Sequence, residues 1–217
     1  MSERKKREGE GESGSLAGRP SKARRRSPHS SLLTPHSPSK ALLQRLKKIR
    51  LLLLDVDGVL TDGSLSYGNS GDELKRFDVK DGAGIYIAQT HGLEVGLLTG
   101  KTSLVVERRA EELKMKRVVQ GAVDKVPALQ EMLADGAYTL SQVAYMGDDI
   151  LDLPVIRRAG VSACPADAHE EVQKRVSYVC SRPGGRGAVR EFIEIILEAQ
   201  GKLGPIVRQY WEGPGNA

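Results

Sequence analysis

A chain of 217 residues with a formal charge of +5 is long enough to bury one substantial core and to carry a tail. Two cysteines do not make a disulfide framework and fit a reduced, cytoplasmic setting. No apolar run approaches the ~20 residues of a membrane span, and the N-terminus lacks the apolar centre of a secretory signal.

The charge is unevenly spread. Residues 1–50 hold 14 Lys and Arg against 4 Asp and Glu, whereas residues 51–217 hold 19 against 24. The basic character therefore belongs to the N-terminal segment, not to the folded part, which argues against a nucleic-acid-binding fold. Residues 1–39 are rich in Ser, Pro, Gly, Arg and Lys and almost free of apolar residues before Leu32. Such a segment cannot bury enough surface to offset its ordering entropy and reads as a disordered basic extension.

From Lys40 the pattern changes. Leu42, Leu43, Leu46 and Ile49 read as a short amphipathic helix. Leu51-Leu52-Leu53-Leu54 then runs straight into Asp55-Val56-Asp57-Gly58. A short apolar run bounded by a turn signal reads as a strand covered on both faces. Carboxylates at its end belong at the C-terminal edge of an open sheet, where ligands bind. Gly58 lets the chain turn away.

Next, Ser64–Tyr67 and Glu73–Phe77 flank the polar stretch Gly68-Asn69-Ser70-Gly71-Asp72, which reads as a β-hairpin. Its place just after the acidic pair makes it a candidate flap. Helix-like stretches follow near 81–91, 102–114, 124–134, 149–158, 168–174 and 187–200. Strand-like stretches lie between them near 94–98, 117–119, 142–146, 160–163 and 177–179. This alternation predicts an α/β fold, a doubly wound parallel sheet with a hairpin flap and no large cap domain over residues 40–203, then a C-terminal tail at 204–217.

Four chemical elements fall at the ends of predicted strands: Asp55-x-Asp57; Thr99-Gly100; Lys125, opening a helix; and Met146-Gly147-Asp148-Asp149, with Asp152 one turn on. Alone, Asp149 or Asp152 reads as a helix cap, Thr99-Gly100 as a turn and Lys125 as a solvated cation. Together they make one site. Clustered carboxylates repel unless a cation neutralises them, so Asp55, Asp57 and Asp148 imply a metal. All-oxygen ligands select a hard ion such as Mg²⁺. Thr99, its neighbouring amides and Lys125 supply donors and charge for phosphoryl oxygens, and a carboxylate nucleophile gives an aspartyl-phosphate. The four histidines show no ligand spacing.

These residues resemble the haloacid dehalogenase-like phosphohydrolases. Glu73-Leu74-Lys75-x-Phe77-x-Val79-Lys80-Asp81-Gly82-x-Gly84-Ile85, Tyr145-x-Gly147-Asp148-Asp149-x-x-Asp152-x-Pro154-Val155, Ala166-Asp167-Ala168-His169, Gly184-Gly185-Arg186-Gly187-Ala188-Val189-Arg190-Glu191 and Ala199-Gln200-Gly201-Lys202-Leu203 resemble one branch, the 3-deoxy-D-manno-octulosonate 8-phosphate phosphatase family. The resemblance spans about residues 42–203. It implies Asp55 as nucleophile and Mg²⁺ ligand, Asp57 as general acid/base with its carbonyl on the metal, and Asp148 as third ligand supported by Asp149. It implies Thr99 and Lys125 on the phosphoryl group. Asp78, Val79, Lys80, Asp81, Gly82, Gly100, Lys101, Arg109 and Arg186 would serve substrate binding, with Asp57 and Lys125. It further implies a cap-less homotetramer with the hairpins at its centre and the C-terminal segment reaching a neighbour's site, where Arg186 and Arg190 would make contacts.

The expected activity is Mg²⁺-dependent hydrolysis of that sugar-acid phosphate in cytoplasmic lipopolysaccharide inner-core synthesis, with a small-molecule substrate, no nucleic acid and no membrane. The alternatives are a sialic-acid-type 9-phosphate as substrate, or a non-catalytic oligomerisation module of the same fold. The family often has Arg where this chain has Tyr86 and Lys101. Lys keeps the charge but loses the planar fork, and Tyr loses both.

Overall fold

The structure, a computed structural model, describes residues 38–71 and 73–213. Residues 1–37, nearly all of the expected disordered extension, lie outside the described residues, as do 214–217. Helix α1 (Lys40–Leu46) opens on Ser39, whose hydroxyl accepts from the Leu42 amide. It leads into β1 (Leu51–Leu54), buried along its whole length. The hairpin strands β2 (Ser66–Tyr67) and β3 (Glu73–Leu74) pair antiparallel, Ser66 opposite Leu74.

Then the chain alternates: α2 (Val79–Thr90), β4 (Glu94–Leu98), α3 (Leu104–Glu112), β5 (Val118–Val119), α4 (Lys125–Met132), β6 (Val143–Met146), α5 (Leu153–Ile156), β7 (Val161–Cys164), α6 (Glu170–Gln173), β8 (Tyr178–Val179), α7 (Ala188–Ala199) and α8 (Leu203–Glu212). Short 3-10 turns precede β6 at Leu140–Gln142 and α5 at Ile150–Asp152.

Six strands form one parallel sheet in the order β5-β4-β1-β6-β7-β8. Side chains alternate across a strand, so β1 feeds two cores. Leu52 and Leu54 pack with α1, α2 and α7, while Leu51 and Leu53 pack with α4 and α5. Buried residues on α7 recur as Ala188, Val189, Phe192, Ile193, Ile196 and Leu197, one apolar stripe of a 3.6-residue period.

The doubly wound sheet with a hairpin and no large cap domain among the described residues is the expected architecture. One element differs. Much of the stretch read as a C-terminal tail is helix α8, because Leu203 and Ile206 share a face that packs on the core beside α7.

The strand order reverses at β1. From there the chain builds outward through β4 and β5 on one side and β6, β7 and β8 on the other. Such a switch point opens a crevice at the C-terminal ends of the two central strands. Asp55 follows β1 and Asp148 follows β6, so the two carboxylates face each other across that crevice.

Candidate active site

A cavity of about 430 Å³ lies over this crevice. Its wall includes Asp55, Asp57, Gly58, Thr99, Gly100, Lys101, Lys125, Asp148, Asp149 and Asp152. The sequence-predicted nucleophile, acid/base, phosphoryl-binding and metal residues thus meet at one place.

Asp55 is held at both oxygens. Oδ1 accepts from the Val56 amide at 2.7 Å, and Oδ2 lies 2.7 Å from Lys125 Nζ. Burial and the nearby Asp152 charge push the Asp55 carboxyl above the usual carboxylate range, against the pull of Lys125. Lys125 opens α4 and is buried. Burial alone favours its neutral form, but Asp55 and Asp152 outweigh that and raise its pKa, so it keeps its charge.

Asp152 sits at the floor of the site. Its Oδ1 accepts from Lys125 Nζ at 2.6 Å and from the Tyr145 hydroxyl at 2.5 Å. Its Oδ2 accepts from the amides of Asp148 and Asp149 at 2.9 and 3.2 Å. Burial, then the Asp152 and Asp55 charges, push the Tyr145 hydroxyl well above its ordinary value, so it remains a neutral donor.

Asp148 is pushed up to about 7, first by burial and then by the charges of Asp152, Asp55 and Asp149. Mutual repulsion of this kind is what a bound cation relieves. Asp55, Asp148 and Asp152 each place one oxygen within 4.8 Å of the others. Asp152 already spends both oxygens on four donors, whereas Asp55 takes one donor on each oxygen, so Asp55 and Asp148 keep acceptor capacity for an ion. An all-oxygen donor set fits a hard divalent ion that keeps part of its water shell. Gly58 makes the close approach possible: at φ +82°, an added Cβ would lie 2.0 Å from Asp148 Oδ2.

Asp57 stands at the rim. Its Oδ1 pairs with Lys75 Nζ at 2.5 Å, and its Oδ2 lies 3.6 Å from Lys101 Nζ. Lys75 comes from the hairpin, so the flap reaches the site through this side chain.

The expected substrate-binding set divides. Gly100 and Lys101 line the cavity with Asp57 and Lys125. Asp78, Val79, Lys80, Asp81, Gly82, Arg109 and Arg186 do not. Asp78 caps α2 by accepting from the Lys80 amide, and Val79 and Lys80 are exposed. Asp81 is buried and accepts from the amides of Gly187 and Arg190 at 3.1 and 2.7 Å. It caps α7, whose own N-cap, Gly187, has no side chain to do so. Arg109 crosses Gly82, lies over the Phe77 ring and pairs with Glu112. Arg186 lies 3.6 Å from Asp62, outside the cavity.

Sequence reasoning gave no part to Lys75 or the Tyr145 hydroxyl, and grouped Asp152 with the site without a role of its own. The one available signal was that Lys75 and Asp152 fall inside the two longest motifs.

Residues 111–193 match the model of a family described as haloacid dehalogenase-like hydrolases. The 3-deoxy-D-manno-octulosonate 8-phosphate phosphatase of Escherichia coli K12 is 45% identical over 174 residues, which cover 80% of this chain and 93% of that protein. The chain belongs to this phosphatase family. The crystal structure of the Yersinia pestis family member is 44% identical, with a TM-score of 0.74 over 76% of this chain and 89% of that one. That of the Moraxella catarrhalis member, in complex with magnesium ion, phosphate ion and a KDO molecule, is 37% identical, with a TM-score of 0.75 over 77% and 97%.

Proposed function

We propose that this chain is a Mg²⁺-dependent phosphatase that hydrolyses 3-deoxy-D-manno-octulosonate 8-phosphate to the free sugar acid and phosphate. The observation that carries this reading is the meeting of Asp55, Asp57, Thr99, Lys125 and Asp148 in one cavity at the sheet's switch point. Family membership and the ligands of the Moraxella catarrhalis relative support it.

In this reading each residue of the cavity has a part. Asp55, fixed by Lys125 and the Val56 amide, presents an oxygen to phosphorus and becomes an aspartyl-phosphate. Lys125 and Thr99 neutralise and orient the phosphoryl oxygens. Asp57, at the rim, gives a proton to the leaving sugar oxygen and later takes one from water. Asp55, Asp148 and the Asp57 carbonyl would hold Mg²⁺, which when bound supplies the charge that lets two anions approach. Lys101 and Gly100 sit where the rest of the substrate enters.

The reading includes a homotetramer. Leu65, Tyr67 and Leu74 leave the hairpin with apolar side chains in water, as an unpaired interface would. Val79, Lys80 and Arg186 are exposed, and in this reading they act at an adjoining subunit's site. The place of action is the cytoplasm, in the synthesis of the lipopolysaccharide inner core. Intact Asp55, Asp57, Lys125 and Asp148 disfavour the non-catalytic alternative.

Phosphate release, with and without Mg²⁺, across sugar phosphates that include the eight-carbon and nine-carbon 3-deoxy acids tests this. Strong preference for the eight-carbon acid is expected, with Lys101 and Tyr86 tolerated in place of Arg. Near-equal rates on the two acids would remove the substrate claim, and no Mg²⁺-dependent release would remove the phosphatase claim.

A further inference from the structure

Lys75 is the only lysine besides Lys125 whose side chain is almost wholly buried among the described ion pairs, with 1% of it exposed. A lysine on a hairpin ordinarily extends its ammonium into water. Burying that charge is unfavourable unless opposite charges meet it. Here two do: Asp57 Oδ1 at 2.5 Å and Glu73 Oε1 at 3.1 Å.

Glu73 is itself held. Its Oε2 accepts from the Ser103 hydroxyl at 2.5 Å. Ser103 is the N-cap of α3, yet its side chain makes no cap hydrogen bond. A hydroxyl suited to capping is turned instead toward the hairpin. A continuous line of contacts therefore runs from α3 through Ser103, Glu73 and Lys75 to Asp57.

The two oxygens of Asp57 are made unequal by this line. Oδ1 is taken by a buried ammonium, while Oδ2 lies toward the exposed Lys101 at the cavity mouth. We propose that Lys75 is a positioning residue: by occupying Oδ1 it fixes the plane of the Asp57 carboxyl and leaves Oδ2 as the oxygen that handles the proton. This rests on the phosphatase reading and deepens it.

The step balances as follows. An Asp55 oxygen bonds to phosphorus, and the bond from phosphorus to the sugar oxygen breaks. The electron pair leaves on that oxygen, which takes the proton from Asp57 Oδ2. A water then gives a proton to the same Oδ2 as its oxygen attacks phosphorus, and the bond to Asp55 breaks to release phosphate. Lys75 keeps its proton throughout.

The leaving group provides the test. A sugar alkoxide departs poorly without a proton, whereas p-nitrophenolate departs without one, and kcat/KM covers the steps up to that departure. Lys75→Met is expected to lower kcat/KM on the eight-carbon sugar phosphate by about tenfold to hundredfold, and on p-nitrophenyl phosphate by less than about threefold. Made together with Asp57→Asn, Lys75→Met is expected to add no further loss on the sugar phosphate, since it acts through Asp57. Glu73→Gln, which loosens Lys75 without removing it, should show the same imbalance in weaker form and carries the test if Lys75→Met does not fold.

Equal losses on the two esters would overturn the proposal, because loss of charge or of fold weighs on both alike. So would a loss that adds to that of Asp57→Asn. An unaltered protein that releases phosphate from neither ester would instead overturn the phosphatase reading beneath it.

Discussion

Lys125 and Asp152 meet at 2.6 Å at the floor of the crevice, and both are buried. The pair is the floor on which Asp55, the proposed nucleophile, rests, because the same ammonium lies 2.7 Å from it. Removing Asp152 leaves the Tyr145 hydroxyl and the amides of Asp148 and Asp149 without their acceptor. Breaking a buried pair of this kind costs about 3–5 kcal/mol, so Asp152→Ala is expected to lower the unfolding free energy by that order. Urea unfolding at constant m-value measures it. A loss below about 1 kcal/mol, the worth of one ordinary hydrogen bond, would show that Asp152 is not the floor described.

Asp55→Asn keeps the shape of the side chain and removes the charged oxygen. Phosphate release is expected to vanish on every ester while the far-ultraviolet circular dichroism stays unchanged, since covalent attack requires that oxygen. A residual rate near that of the unaltered protein would move the nucleophile elsewhere.

Three of the residues that sequence alone grouped and that line one cavity lie within two positions of a strand's C-terminal end. Asp55 follows β1, Thr99 follows β4 and Asp148 follows β6. Once the alternating pattern fixes the strands, chain direction puts those residues on one edge. What stayed illegible depends on folding back over distance. Lys75 reads as a solvated hairpin residue until the hairpin closes on Asp57, and Tyr145 reads as an apolar strand residue until its hydroxyl finds Asp152. Asp81 looks like part of a polar loop motif, yet its partners lie 106 and 109 residues on. No local pattern announces that Gly187 needs a carboxylate from another helix.

Asp81 can be checked directly for a capping part against a substrate-binding one. Asp81→Ala removes the acceptor for the Gly187 and Arg190 amides and is expected to cost about 1–2 kcal/mol, the range for losing a helix cap. The activity of the folded protein on p-nitrophenyl phosphate should stay within about twofold, since that ester engages only the phosphoryl site. Differential scanning calorimetry beside initial rates separates the two effects. A raised KM for the sugar phosphate at unchanged stability would return Asp81 to substrate binding.

Asp148, pushed up to about 7, makes Mg²⁺ binding compete with a proton. Below that value the cation must displace the proton, so affinity should fall about tenfold per pH unit on going down from 7 and level off above it. Isothermal titration of the metal-free protein at pH 6 and pH 8 reads this directly. The stability of the metal-free fold should run the other way. A carboxyl whose folded pKa lies above its unfolded value favours the fold at low pH, and that advantage is lost as pH rises from about 4 through about 7. Mg²⁺ should therefore raise the melting temperature more at pH 8 than at pH 5.5. An equal rise at both would mean that Asp148 neither repels its neighbours as the geometry requires nor meets the ion.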